Sequence, residues 1–290
     1  MKYRGLTLLK EEGHPVKKCC ELLSISPSGF YDWMRRGPSK KEQRDGLLKA
    51  KILSIFGNSK KTYGSPRIQK SLQASGEKVG KDKVAQLMRE EGLSAKKKKA
   101  FRPKTTINNP SDKKSPRVFK IKETTVTGPN QIWVSDLTSL PTGSGFSYLV
   151  TVMDLFNREI KGWDVSDTMD AVNTKNALLE ALRTTPGRLN GLIFHSDQGV
   201  QYCSSEFREK VNLLNIIQSM SRKGNCYDNA FAESFFGTMK SELEFNSFEN
   251  LDEAKREIFK YINWYNRERM HSSLGYVSPV EYRIKTCLAA

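Results

Sequence analysis

The chain has little of what metal clusters and disulfide scaffolds are built from. Of its 290 residues three are histidine (His14, His195, His271) and five are cysteine (Cys19, Cys20, Cys203, Cys226, Cys287). No two cysteines stand in C-x-x-C spacing and no Cys/His group has zinc spacing, so a structural zinc is not expected. An odd cysteine count argues against a disulfide framework and leaves small buried hydrophobes or free thiols. There is no run of about 18 apolar residues, so no membrane span is expected. The opening "MKYRGLTLLKEEGH" has acidic residues and no apolar stretch ending at a cleavage site, which points to the cytoplasm. Also missing is a long a/d heptad run.

Charge is present, and it is segregated. The net charge is +16, yet residues 1–125 hold 31 Lys+Arg against 12 Asp+Glu, while residues 126–290 hold 17 against 20. A solubility surface would not divide by half. The division predicts a polyanion-binding region joined to a domain of another kind, with nucleic acid as the partner.

Two stretches of the basic half read as helix-turn-helix units. In residues 16–37 a first helix carries Val16, Cys19, Cys20, Leu22 and Leu23, and Ser26-Pro27 opens a second one. In residues 65–93 Ser65-Pro66 repeats the start signal, Gly76 marks a stop and Gly92 closes a helix carrying Val84, Leu87 and Met88. Such pairs can set a helix in a major groove with Arg67, Lys81 and Lys83 on phosphates. Residues 96–125, with Lys96, Lys97, Lys98 and Lys99, read as a flexible phosphate-attracting linker. The expected division is a helical region over 1–95, this linker, a core over 126–245, and a C-terminal helix and tail over 246–290.

From residue 126 the pattern is α/β. Strands are predicted near 130–141, 146–156 and 158–167, a helix over 169–185, a strand over 191–197, a helix over 204–215 and a strand over 216–221. Helices over 229–242 and 251–268 follow, and the order implies a mixed sheet. Asp136 falls inside the first strand, where an isolated carboxylate is disfavoured. Asp197 ends the fourth strand, at the edge where open α/β sheets gather ligands. If the two strands are neighbours the carboxylates converge, and Glu233, on a helix packed over that edge, could join them. Three such carboxylates suit Mg²⁺.

The segments "WVSDLT", "HSDQGVQY" and "NAFAESFFGTMKSE" resemble the catalytic blocks of DDE transposases related to retroviral integrases, with 35 residues between Asp197 and Glu233. "YLVTVMDLFNREIKGW", "RMHSSLGYVSPVEYR", "YGSPRI" and "KDKVAQLMREEGL" extend the likeness to the second-frame product of bacterial insertion sequences of the IS-three family. The resemblance implies a ribonuclease H-like mixed-sheet catalytic core preceded by a helical, basic DNA-binding region. It implies a DNA transposase in which Asp136, Asp197 and Glu233 hold two Mg²⁺ ions, Mn²⁺ being the alternative, and Lys240 holds DNA. It also implies terminal-repeat and target DNA as partners, a homo-oligomer on DNA, the upstream-frame product as a further partner, and a nucleoid-associated location. The zinc-binding His/Cys domain of retroviral integrases is missing. A regulator without chemistry and a non-specific nuclease of the same fold are the competing functions.

Other residues have plainer expectations. Asp154 is expected to anchor the turn before Arg158, and Asp228 to cap the helix that follows. His195 and Asn229 are candidates to touch a metal-binding carboxylate rather than a metal. His271 is divided between a DNA contact and a structural hydrogen bond. Trp133 and Trp163 are expected in the core. Ser135, Thr138 and Tyr202 lack the His–Asp arrangement that covalent catalysis requires.

Overall fold

The computed structural model describes residues 2–96, 116, 124–185, 189–221, 230–243 and 247–288. Most of residues 96–125 lie outside that set, as do Lys97, Lys98, Lys99, Asp228 and Asn229. Among the described residues no helix is long and apolar enough to cross a membrane.

The first three helices form a small unit: α1 (Lys2–Glu11), α2 (Val16–Leu23) and α3 (Pro27–Arg35) close around Leu6, Cys19, Cys20 and Phe30. Ser24 turns the chain between α2 and α3 with a left-handed φ of 52°. Ser26 then caps α3 by accepting the Gly29 N–H at 3.4 Å, with Pro27 at a position whose missing N–H costs nothing. This is the start the sequence predicts.

The next three helices are α4 (Lys40–Asn58), α5 (Ser65–Ala74) and α6 (Lys81–Glu90). A reciprocal cap opens α4, Ser39 Oγ accepting the Glu42 N–H at 3.2 Å and Glu42 Oε2 the Ser39 N–H at 3.0 Å. Both α5 and α6 stop at a glycine with positive φ, Gly76 (87°) and Gly92 (66°). The Leu72 and Met88 carbonyls accept the N–H groups of Glu77 and Leu93 beyond them.

The five-stranded sheet has the order β3-β2-β1-β4-β5. Strands β1 (Ile132–Thr142), β2 (Gly145–Asp154) and β3 (Ile160–Ser166) form an antiparallel meander, and β4 (Ile193–Ser196) and β5 (Ile217–Met220) continue it in parallel beside β1. Alternation along β1 sends Trp133 and Leu137 to one face, where α7 (Ala171–Arg183), α8 (Val200–Cys203) and α9 (Ser205–Leu213) pack. Helix α7 lies so close to β3 that a Cβ on Gly162 would stand 2.1 Å from the Ala177 carbonyl oxygen.

Ile132, Val134 and Leu140 face the other way. There they meet Phe235 and Met239 of α10 (Ala230–Leu243) and Ile258 and Tyr261 of α11 (Leu251–Arg267). Leu48, Ile52, Ile68, Leu72, Val84 and Leu87 of α4–α6 belong to this same continuous core. A final helix, α12 (Pro279–Leu288), docks through Arg283 Nε on Glu159 Oε2 at 2.9 Å.

The mixed α/β order agrees with the sequence reading, and the structure adds α1, α4, α8 and α12. Helix α4 buries Leu48, Ile52 and Phe56, one apolar residue per turn, which is too narrow a stripe to stand out from its charges. Helix α8 is a single turn.

Candidate active site

The parallel ladder between β1 and β4 pairs Val134 with His195. Two residues further along each strand stand Asp136 and Asp197, so the register brings the two carboxylates to adjacent positions at one end of the sheet. Both are half-buried. Asp136 shares its strand face with Val134 and Leu140, the face covered by α10 and α11. Asp197 lies just past β4, where its Oδ1 accepts the Gly199 N–H at 3.0 Å. A Cβ on Gly199 would come within 3.1 Å of that oxygen and 2.7 Å of Gln201 Oε1, so a larger residue here would shift both side chains.

Beneath the pair lies Tyr202, fully buried, its hydroxyl 2.8 Å from Ser135 Oγ. Burial pushes the phenol well above its ordinary value, and the charges of Asp197 and Asp136 push it further. It therefore stays protonated. Ser135 and Tyr202 form a buried support.

Lys240, on the last turns of α10, reaches over the same face. Its Nζ donates to Thr138 Oγ1 at 2.7 Å. Burial brings the ammonium down to about 8, against the opposing pull of Asp136. The charge beside the carboxylates is thus a partly desolvated one.

Glu233 stands in the first turn of α10 and is exposed. Seven residues of helix separate it from Lys240, a rise of about 10 Å. Among the described residues, no three His, Cys, Asp or Glu side chains gather closely enough to hold a metal ion. What the structure assembles is Asp136, Asp197 and Lys240, with Glu233 further along the same helix. The aspartate pair still fits a hard cation: Mg²⁺ commonly takes one or two carboxylates, keeps several waters and completes its shell with phosphate oxygens.

The remaining sequence candidates fall into place by their contacts. His195 is fully buried, its Nδ1 3.0 Å from Ser219 Oγ on β5, so the ring is fixed within the sheet. Asp154 anchors the β2–β3 turn as expected, accepting the N–H groups of Asn130 at 2.8 Å and Phe156 at 2.9 Å. His271 is neutral, burial and the guanidinium groups of Arg269, Arg67 and Arg158 holding it down at about 3.

Of the basic candidates, Lys81 is exposed at the start of α6. Lys83 Nζ is instead 2.7 Å from Asp45 Oδ2. Arg67 lies half-buried over the Tyr63 ring at 5.4 Å, and Lys96 Nζ donates to the Glu242 carbonyl at 3.0 Å. These three have intramolecular partners that a composition-based reading cannot see.

Sequence reasoning also passed over Glu242 and Arg269, both buried and joined through two guanidinium nitrogens. The available signal was the aromatic run "YINWY" in α11, which demands a buried face and therefore buried partners for any nearby charge.

The two aspartates stand at the carboxyl end of the interior β1–β4 pair, and family profiles identify this sheet as the core of a polynucleotidyl transferase of integrase type. An "Integrase core domain" profile matches residues 126–226, a second profile of that description matches 214–279, and an "HTH-like domain" profile matches 42–101. The chain is 41% identical over 268 residues to the insertion element IS600 uncharacterized 31 kDa protein of Shigella sonnei, covering 92% of this chain and 97% of that one. It is 35% identical over 274 residues to the transposase InsF for insertion sequence IS3A of Escherichia coli K12, covering 93% and 94%. Among solved structures, the HTLV-2 integrase catalytic core domain in complex with magnesium aligns at 19% identity with a TM-score of 0.42, over 54% of this chain and 97% of that one. The chain belongs to the IS3 family of insertion-sequence transposases. The helix-turn-helix unit expected at 65–93 lies within the matched HTH-like region, whereas the unit at 16–37 precedes it.

Proposed function

We propose that this transposase binds the ends of its insertion sequence and carries out both strand cleavage and strand transfer, with water and then a 3′-hydroxyl attacking a phosphodiester in line. The observation that carries the reading is the register that sets Asp136 and Asp197 side by side on adjacent parallel strands with Lys240 over the same face. Asp136 and Asp197 would hold divalent ions, Mg²⁺ or Mn²⁺, with Glu233 as the third carboxylate. Bound there, the ions would activate the attacking oxygen and stabilise the leaving one.

The chain's own groups do the rest. The Gly199 N–H fixes the rotamer of Asp197. Lys240, already partly desolvated, exchanges its Thr138 contact for a phosphate oxygen and so places the scissile strand. The exposed Lys81 and the α2–α3 pair engage phosphates further along the duplex. A homo-oligomer on paired ends, aided by the upstream-frame product, is the expected assembly.

The test is cleavage and joining of a terminal-repeat duplex with Mg²⁺. Asp136→Asn should lower the rate roughly a hundred- to a thousandfold with end binding retained. Undiminished cleavage by that variant would reject the assignment, and equal cleavage of unrelated duplexes would favour a general nuclease.

A further inference from the structure

The helix that carries Glu233 and Lys240 is pinned at one end by a buried ion pair. Glu242 and Arg269 are 7% and 5% exposed. Arg269 Nη2 donates to Glu242 Oε1 at 2.7 Å and its Nε to Oε2 at 2.9 Å, a two-point fork, while the Tyr261 hydroxyl donates to Oε2 at 2.8 Å. Such a fork admits one relative orientation of its partners. The rest of α10 packs through Phe235, Phe236 and Met239, and Lys240 adds its hydrogen bond to Thr138.

Arg269 is itself held by the helical region. Its neighbours on both sides bond one side chain of that region: the Tyr63 hydroxyl accepts the Met270 N–H at 2.7 Å and donates to the Glu268 carbonyl at 3.3 Å. A second tie runs from the same turn. The Lys96 N–H donates to the Lys61 carbonyl at 3.2 Å, and Lys96 Nζ donates to the carbonyl of Glu242. Both routes start between Lys61 and Tyr63, just before α5, and end on Glu242, two residues beyond Lys240.

We propose that Arg269 and Glu242 are positioning residues for strand cleavage: they fix α10, and with it Lys240 and Glu233, at the place set by the docked helices α4–α6. A buried ion pair is a poor source of stability, since apolar residues of similar volume usually serve as well or better. What apolar residues lack is the fixed orientation, and misplacement of a reacting group by about 1 Å can cost a hundredfold in rate. This inference rests on the assignment of α10 to the reaction, so its test carries a control for that assignment.

The experiment uses the full chain and a labelled terminal-repeat duplex. End-binding affinity is measured without divalent metal, and single-turnover cleavage with Mg²⁺. The variants are Arg269→Lys, which keeps the charge without the fork, and the triple variant Tyr261→Phe/Glu242→Leu/Arg269→Met, which removes the three polar partners together and leaves only the half-buried His271 Nε2 without its contact to Arg269 Nη1. Asp136→Asn is the control. The triple variant should keep the wild-type melting temperature and end affinity yet cleave about a hundredfold more slowly, with Arg269→Lys between it and wild type.

Cleavage by the triple variant at the wild-type rate, with Asp136→Asn inactive, overturns the proposal and leaves the active-site reading standing. A loss of affinity with the cleavage rate retained overturns it too, because the pair would then shape a binding surface. Wild-type cleavage by Asp136→Asn rejects the active-site reading itself.

Discussion

Helix pairs α2–α3 and α5–α6 are built from the same signals and lie in the same basic half, but they are not equivalent parts. The first closes with α1 on its own small core of Leu6, Cys19, Cys20 and Phe30. The second, with α4, shares one continuous core with β1, α10 and α11. Charge changes sign near residue 125, whereas packing divides the described residues near residue 38. Net charge reports which surface meets a polyanion; the partners found by apolar faces report what folds together. One pair closes on its own core, and the other shares the core of the strand and helix that carry Asp136 and Lys240.

The largest effect that could break this contrast comes from two truncations. Removing residues 1–37 leaves the shared core whole. The protein should stay soluble with an unchanged main unfolding transition. Its end affinity should fall with a shallower salt dependence, by a slope of about 0.9 for each phosphate no longer neutralised. Removing residues 1–95 strips Leu48, Ile52, Ile68, Leu72, Val84 and Leu87 from that core. The remaining chain should aggregate or lose cooperative unfolding, as seen by size exclusion and calorimetry. A monodisperse product with the full-length melting temperature would show that α4–α6 are as separable as α1–α3.

Point substitutions sharpen the contrast on a smaller scale. Phe30 and Ile68 are both fully buried. Phe30→Ala should cost about 3–5 kcal/mol and Ile68→Ala about 2–5 kcal/mol of the stability of whatever unit contains them. Native-state hydrogen exchange reads the unit directly. Phe30→Ala should lower protection in α1–α3 alone, and Ile68→Ala in α4–α6 together with β1, α10 and α11. Loss of protection limited to α4–α6 after Ile68→Ala would deny the shared core.

Much of the fold was legible because its signals are local. Ser26-Pro27 opens α3, β-branched runs define β1 to β3, and Asp136 stands out as a carboxylate among residues that want burial. The pairing of Asp136 with Asp197 followed once β1 and β4 were taken as neighbours. Less legible was everything decided by tertiary contact. Lys83 and Arg67 look like phosphate ligands until Asp45 and Tyr63 are found beside them. Glu242 and Arg269 look like two surface charges, since 27 residues separate partners that only the α10–α11 packing brings together. Spacing singles out Glu233 on its helix; it does not fix how that helix stands over the aspartates.

The smallest effect lies at the seam between α4–α6 and the sheet domain, at His271. Its Nε2 is 3.3 Å from Arg269 Nη1 and its ring meets the Tyr265 ring edge-on at 4.7 Å. The charged groups that face it are Arg269 from its own turn, Arg67 from α5 and Arg158 from the β2–β3 turn, and together with burial they hold it at about 3. The unfolded chain binds a proton there at an ordinary histidine value, above the folded one. Below that ordinary value the unfolded state therefore holds more protons than the folded state. Stability attached to His271 is complete at neutral pH and is lost progressively as pH falls towards about 3. Near pH 5.5 the loss should be roughly 1 kcal/mol, and His271→Gln should lack it. Denaturant unfolding of both proteins between neutral and mildly acidic pH isolates the term, because the carboxylates contribute equally to each. Parallel pH profiles for the two would mean that the three guanidinium groups do not converge on this imidazole, and that the seam is looser than the shared core requires.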